Sequence, residues 1–460
     1  MELSGKRVVV MGLGRFGGGI GVTRWLCAEG AKVHVTDLAD EAQLSESVAA
    51  LEGLPVTRRL GGHDLSDLDG CDLLVVSPAV DKARSEFFQA AVGRGIAWSS
   101  EMNLFLERCR GRMVGITGSV GKSTTTAMIG AVLEAAAKTS EWRHGRVWLG
   151  GNIGKSLLDE LGGIGATDIV VLELSSFQLE DAASLRWSPH IAVVTNLKEN
   201  HLDRHGTMEA YAAAKANLYA FQGAGDFLIM PHGNGVEGLP SEWAERKNLI
   251  RYSIDTETRE LAVEGGAVSG SRVRMTLAVP GLHNLQNAAA AVAVSRVLGV
   301  NDSTAASALA SFKGLVHRLE FVGEIGGVKY YNDSKATTPD AAMTSLRAFD
   351  GGVVVLVGGS DKGNSFTEFG RLLAQRAKAV VCMGDTREKI GAEVRRAMGA
   401  SGGPRLSFAS SFAEAMETAR SAAVRGDVVL LSPGCASYDW FTNYEERGET
   451  FRRVVHGWRK

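Results

Sequence analysis

The segment Val114–Thr126, VGITGSVGKSTTT, constrains this chain more than any other stretch. An apolar run gives way to a glycine-rich turn, then to Lys122, Ser123, Thr124 and a helix-forming segment. That order predicts a strand, a loop and a helix N-terminus, the arrangement that cradles phosphate. Backbone N–H groups of Gly118, Ser119, Gly121 and Lys122 can converge on phosphate oxygens, and the helix dipole adds positive potential at the same point. Lys122 is placed to reach terminal phosphates, and the Ser123 hydroxyl to ligate Mg2+. The stretch departs from the strict G-x-x-x-x-G-K-[ST] pattern, because Ile116 stands where its first glycine belongs and Gly115 comes one residue early. A strand feeding such a turn belongs to a parallel α/β sheet.

A chain of 460 residues exceeds one ordinary core, so several domains are expected. The formal net charge is −2 and no long basic run occurs, which argues against a nucleic-acid partner. Five scattered cysteines, an odd number without C-x-x-C spacing, disfavour structural zinc and a disulfide framework and fit a reducing compartment. The start, MELSGKRVVVMGLG, lacks a secretory signal, and no run of ~18 apolar residues occurs. A cytoplasmic protein without a membrane partner is expected.

Short apolar runs alternate with helical stretches throughout. Arg7–Met11, Lys32–Thr36 and Leu73–Ser77 read as strands of a first doubly wound unit. Arg112–Thr117, Ile169–Leu172 and Ile191–Thr195 read as buried strands of a second, with Thr207–Ala220 helical and Pro280–Val300 a turn and helix. Val353–Val357, Ala379–Met383 and Val428–Leu431 are strands of a third. The fold class is therefore α/β in three domains, 1–102, 103–311 and 312–460: a Rossmann-like first, a central P-loop ATPase-like parallel sheet, and a Rossmann-like third.

Other motifs admit two readings. Gly12-x-Gly14-x-x-Gly17 with Asp37 about 20 residues on is a dinucleotide-type turn with an acid where a ribose would sit, but the same turn can bind any nucleotide diphosphate or simply pack a helix on a sheet. Glu173 in VLELSSFQLE ends a strand beside the P-loop strand, where a carboxylate can hold Mg2+ directly or through water; a surface acid is the alternative. His201 and Asp203 in TNLKENHLDRHG follow another such strand and could complete a metal site, although a lone histidine is commonly structural. Lys215, inside an alanine-rich helix, reads from the residues alone as a solvated lysine. The third region offers Arg318, Lys335 and Lys362 as cations and Asp333 as an acid, a set suited to an anionic small substrate and a share of a nucleotide.

GITGSVGKSTTT, GNIG, ELSSFQLE, HLDRHG, AAAKANLY, PGLHNLQNAAAA, HRLE, NDSKAT, GGSDKG and LSPGCASYDWF occur in the order of the Mur ligases, and the chain resembles that family over essentially its whole length. The resemblance implies an ATP-dependent ligase that forms an amide through an acyl phosphate. NDSKAT and SPGCASYDWF resemble the member that joins D-glutamate to UDP-N-acetylmuramoyl-L-alanine. Lys122, Glu173, His201 and Lys215 are implied as catalytic residues, with Ser123, Glu173, His201 and Lys215 at the metal, two Mg2+ ions, and a carbamate on Lys215. ATP is implied to contact Gly118, Ser119, Gly121, Lys122, Ser123, Thr124, Asn287, Arg318 and Asp333, which splits its contacts between the second and third domains and predicts closure. The UDP part is implied at Gly12, Gly14, Gly17 and Asp37, and the muramoyl part at Asn152. D-glutamate is implied at Lys335, Thr337, Lys362, Ser432 and Tyr438. A monomer is expected.

The sequence departs from the family at several points. Val120 stands where asparagine is common, Asn200 where an aspartate precedes the HLDRH histidine, Thr338 where asparagine often follows NDSKAT, and Ala79 where a glycine follows Ser77-Pro78. A sister ligase adding another amino acid and a folylpolyglutamate-type ligase are the nearest alternatives, and the third-domain motifs argue against both. Two other classes share fragments of the pattern. Partition and metal-chaperone ATPases have similar P-loops but carry a second early lysine and lack an NDSKAT-type domain. An NAD-dependent oxidoreductase would explain the first glycine turn and leave the P-loop without a role.

Overall fold

The computed structural model describes residues 2–14, 17–152, 156–233, 248–258, 260–265, 272–361, 363–399 and 402–458. They divide into two compact units, Met1–Met275 with Gln286–Ala308, and Thr276–Leu285 with Leu309–Lys460. The chain is α/β, with three parallel-rich sheets, one per domain.

The first unit holds two of them. The N-terminal sheet contains β1 (Arg7–Met11), β2 (Lys32–Asp37), β3 (Val56–Leu60), β4 (Leu73–Val76) and β5 (Ala97–Ser99), ordered β3-β2-β1-β4-β5. Every pairing in it is parallel. The chain order reverses between β1 and β4, and ligands of such sheets bind outside the carboxyl ends at that reversal. The strand cores are near-continuous apolar runs (VVVM in β1, LLVV in β4) because helices cover both faces.

The second sheet contains β6 (Arg112–Thr117), β7 (Val147–Gly151), β8 (Ile169–Glu173), β9 (Ile191–Val194), β10 (Phe227–Pro231), β11 (Leu249–Ile254), β12 (Glu260–Glu264) and β13 (Val273–Arg274). Its order is β13-β12-β11-β10-β9-β6-β8-β7. Thr117 pairs with Val194 of β9 and Ile116 with Glu173 of β8. The loops after β6, β8 and β9 therefore emerge side by side at one sheet edge. The antiparallel extension β11–β13 was not legible in the sequence.

The second unit carries β14 (Glu320–Ile325), β15 (Val328–Asn332), β16 (Val353–Gly358), β17 (Ala377–Met383), β18 (Arg405–Phe408) and β19 (Val428–Leu431), ordered β14-β15-β19-β16-β17-β18. β14 and β15 form an antiparallel hairpin and the other pairings are parallel. NDSKAT leaves β15 and SPGCASYDWF leaves β19, its neighbour in the sheet. No described helix is long and apolar enough to cross a membrane.

Candidate functional site

The loop between β6 and the helix Lys122–Ala136 is held from three sides. Gly118 has φ 146° and Gly121 φ 86°, backbone that glycine adopts without strain. A Cβ on Gly118 would fall 2.0 Å from Thr195 Oγ1, and one on Gly121 2.6 Å from Asn287 Oδ1. Thr195 Oγ1 donates to the Val120 carbonyl at 2.7 Å. Asn196 clamps the same residue from both sides, accepting from Val120 N at 3.0 Å and donating to Val120 O at 2.9 Å. Val120 itself points outward, half exposed, so the loop is shaped by Thr195 and Asn196 rather than by the residue at its tip. No acid lies in the first turn of the helix, which leaves its positive end open to an anion.

Lys122 Nζ donates to the carbonyls of Gly118 (2.9 Å) and Ser119 (3.0 Å). Lys215 Nζ reaches the same Gly118 carbonyl at 3.0 Å. The reading of Lys215 as a solvated helix lysine is corrected here: it is 2% exposed, among the largest buried side chains. Its helix, Met208–Ala216, buries Tyr211, Ala212, Ala214, Lys215 and Ala216. The Lys215 ammonium sits 4.4 Å from the Tyr211 ring centroid. Burial first, and the nearby Lys122 charge second, lower its pKa to about 7, while Glu173 pulls the other way. Tyr211, missed in the sequence, donates its hydroxyl to Ser119 Oγ at 3.2 Å; its signal was an aromatic one helical turn before Lys215.

Glu173 is the last residue of β8, 2% exposed. Its Oε1 accepts from Asn152 Nδ2 at 3.1 Å, and Asn152 N donates to the Glu173 carbonyl at 2.8 Å. Its Oε2 is buried with no hydrogen-bond partner. A buried carboxylate oxygen without a donor is costly unless a cation or ligand meets it, so this position fits a hard metal ion. Among the described residues no group of three His, Cys, Asp or Glu side chains is placed to hold a metal alone. The Ser123 hydroxyl, phosphate oxygens and water would complete such a shell. His201 has φ 55° and caps the short helix Leu202–His205. Its ring meets Phe177 edge-on at 5.2 Å and Tyr211 at 6.3 Å. The Asp203 side chain and the remainder of GNIG (residues 153–154) lie outside the described residues. Asn287 Oδ1 accepts from Thr125 Oγ1 at 3.1 Å beside Gly121. Lys122, Lys215, Asn287, Glu173, Asn152 and His201 thus gather around one loop system.

In the N-terminal domain Asp37 ties the first glycine turn rather than standing free. Its Oδ2 accepts from Gly14 N at 3.0 Å and its Oδ1 from Ala39 N at 2.8 Å. Gly12 and Gly17 take φ 94° and 90°, and Gly12 lies against Ser77 at the β1/β4 reversal.

In the second unit Asp333 is buried, accepting from Leu319 N (3.2 Å) and Ser432 Oγ (2.8 Å). Burial pushes its pKa up to about 6, against the hydrogen bonds and the Arg318 charge. The Ser432 hydroxyl is accordingly turned inward. The HRLE turn is tight: His317 and Leu319 have φ 61° and 44°, and Asn332 Nδ2 lies 2.9 Å from His317 Nδ1 and 3.0 Å from Glu320 Oε2. Arg447, unremarked in the sequence, is 1% exposed. It joins the two motif loops, donating to Ser334 Oγ (2.9 Å), Ser334 O (2.9 Å), Cys435 O (3.1 Å) and Ala436 O (3.1 Å). Lys335 places its ammonium 5.7 Å from the Tyr444 ring, a second residue the sequence did not flag. Thr337 N donates to the Lys335 carbonyl at 2.9 Å. Tyr438 is 63% exposed. Lys362 lies outside the described residues.

Family models match three stretches of the chain: Mur ligase MurD-like, N-terminal domain at residues 6–98, Mur ligase middle domain at 116–295, and Mur ligase, glutamate ligase domain at 317–435. The UDP-N-acetylmuramoylalanine--D-glutamate ligase of Pelotomaculum thermopropionicum is 39% identical over 463 residues, covering 99% of this chain and 98% of that protein. The chain belongs to the Mur ligase family. The protein of the same description from Symbiobacterium thermophilum is likewise 39% identical, covering 98% of each chain. Among solved Mur ligase structures, UDP-N-acetylmuramate-alanine ligase MurC from Thermotoga maritima has the same fold (TM-score 0.60, 21% identity, 98% of this chain and 99% of that one). MurF from Acinetobacter baumannii does too (TM-score 0.56, 17% identity, 98% of this chain and 93% of that one).

Proposed function

We propose that this Mur ligase is an ATP-dependent enzyme that joins D-glutamate to the carboxylate of UDP-N-acetylmuramoyl-L-alanine, a step of peptidoglycan precursor synthesis in the cytoplasm, acting as a monomer without nucleic-acid or membrane partners. Full-length similarity to D-glutamate ligases carries the substrate assignment. The phosphate cradle with two lysines on one carbonyl supports the ATP chemistry.

A carboxylate resists amines because oxide is a poor leaving group. A carboxylate oxygen attacks the γ-phosphorus of ATP and ADP departs, leaving an acyl phosphate. The amine nitrogen then adds to the acyl carbon, the tetrahedral species expels inorganic phosphate, and the nitrogen loses a proton to solvent. Such transfer depends on alignment and charge neutralisation. In this reading Gly118, Ser119, Gly121, Ser123 and Thr124 wrap the phosphates and Lys122 swings from its carbonyls onto them. Asn287 supports the loop. Glu173, His201 and Ser123 would hold two Mg2+, which would supply neutralisation of phosphoryl charge. Lys215, its pKa lowered to about 7 so that a large share of the amine is neutral at that pH, would carry a carbamate that adds an anionic ligand. Asn152 meets the muramoyl group, and Gly12, Gly14, Gly17 and Asp37 the UDP part. In the second unit Arg318 and Asp333 serve ATP, and Lys335, Thr337, Lys362, Ser432 and Tyr438 the amino acid.

Phosphate release tests the assignment. It is expected only when ATP, Mg2+, UDP-N-acetylmuramoyl-L-alanine and D-glutamate are all present, with L-glutamate at least ~10²-fold poorer, the scale of discrimination a polar site achieves. Release without the amino acid, or equal rates with both enantiomers, would refute it.

A further inference from the structure

We propose that Arg204 is a positioning residue that couples loading of the UDP-linked acceptor on the N-terminal domain to the placement of His201 at the Mg2+ site. The inference rests on the roles proposed above for those two sites.

Arg204 touches three functional segments at once. Its Nη1 donates to the Ala79 carbonyl and its Nη2 to the Val80 carbonyl, both at 3.2 Å, with Nε 3.8 Å from Asp81. Residues 77–80 are the turn that leaves β4 at the β1/β4 reversal. Ser77 N donates to Met11 O at 2.9 Å, and Val80 N to Ser77 O at 3.0 Å. A Cβ on Gly12 would lie 2.7 Å from Ser77 Cβ, so this turn is the wall facing the first glycine loop. The guanidinium also lies over the Phe177 ring, 4.6 Å from its centroid. Phe177 stacks on His205 (5.2 Å, 3°) and meets His201 edge-on (5.2 Å, 65°). Phe177 belongs to the helix Ser176–Ala182, which starts three residues after Glu173. His205 is pinned in turn by Ser176 Oγ at 2.9 Å and Glu180 at 3.2 Å.

His201 holds left-handed backbone that a non-glycine residue keeps only when its surroundings impose it. Arg204 N and His205 N both donate to the His201 carbonyl, at 3.1 and 3.0 Å. Arg204 and His201 therefore share a single helical turn, and anything that shifts residues 79–81 pulls on the residue that sets His201. A planar fork that spans two adjacent carbonyls while stacking on a ring is a task for arginine that lysine cannot copy.

The test is the affinity of the full chain for Mn2+ in the presence of ADP, read by electron paramagnetic resonance, with and without UDP-N-acetylmuramoyl-L-alanine. In the native enzyme the acceptor is expected to tighten Mn2+ about tenfold, within the usual range of inter-site coupling. In Arg204→Ala and in Arg204→Lys the ratio is expected to fall below about twofold, because the fork is gone. The Mg2+ concentration for half-maximal turnover rises in both, while KM for D-glutamate stays unchanged. If Arg204→Ala does not fold, Arg204→Lys decides, since it keeps the charge and loses only the geometry. Coupling of native size in Arg204→Lys overturns the proposal. So does a native enzyme that turns over the acceptor but shows no coupling. A native enzyme that never binds the acceptor overturns the functional reading itself.

Discussion

Lys122→Ala is expected to fold normally and lose turnover by at least ~10²–10³-fold, the usual effect of removing one preorganised charge contact from a transferring group. The ammonium in the structure donates to the Gly118 and Ser119 carbonyls of its own loop. The Gly118 carbonyl keeps its second donor, Lys215 Nζ at 3.0 Å, so truncating Lys122 costs little stability, whereas the phosphates lose their nearest cation. The thermal midpoint should move by no more than a few degrees, and single-turnover ADP formation should collapse. Near-native ADP formation in this variant would remove Lys122 from the mechanism.

The second large effect concerns Lys215. Its amine titrates near 7 in the folded chain, because burial and the Lys122 charge disfavour the ammonium form, and near ~10.4 when unfolded. The folded pKa is the lower one, so between about 7 and ~10.4 the unfolded chain binds the extra proton and stability contributed by this group rises with pH. The same shift leaves about half of the amine neutral at pH 7 and most of it neutral above that, and CO2 adds to neutral amines only. Carbon-13 bicarbonate should therefore label the native enzyme with a carbamate resonance that fades as pH falls below about 7. Lys215→Arg, which keeps a cation and cannot form the adduct, should show no resonance and lose ~10²–10³ in kcat, the scale of one lost electrostatic contact. A native enzyme without the resonance but with full activity would contradict the carbamate.

The α/β class was written in the apolar runs, since strands buried on both faces carry no polar alternation: VVVM, VVVLV and VVLL are strands β1, β16 and β19. Short or half-exposed strands were not, because β3 (VTRRL) and the antiparallel β11–β13 depend on neighbours rather than on their own pattern. The phosphate loop was legible because its glycines and lysine are contiguous in the sequence, whereas Thr195, Asn196 and Asn287, which hold it in shape, are distant along the chain. Lys215 was legible only by resemblance: alanines on all sides of its helix erase the polar face that would mark a solvated lysine. Arg447 was hidden for a different reason. A buried arginine satisfied by carbonyls and a serine shows no paired acid in the sequence, so only the assembled loops of Ser334, Cys435 and Ala436 reveal its task.

The direct test of the acyl-phosphate route is isotopic. With both carboxylate oxygens of UDP-N-acetylmuramoyl-L-alanine replaced by oxygen-18, one labelled oxygen should leave in the inorganic phosphate at every turnover and the other stay in the new amide. Phosphate released wholly unlabelled, with product forming at the normal rate, would contradict the account.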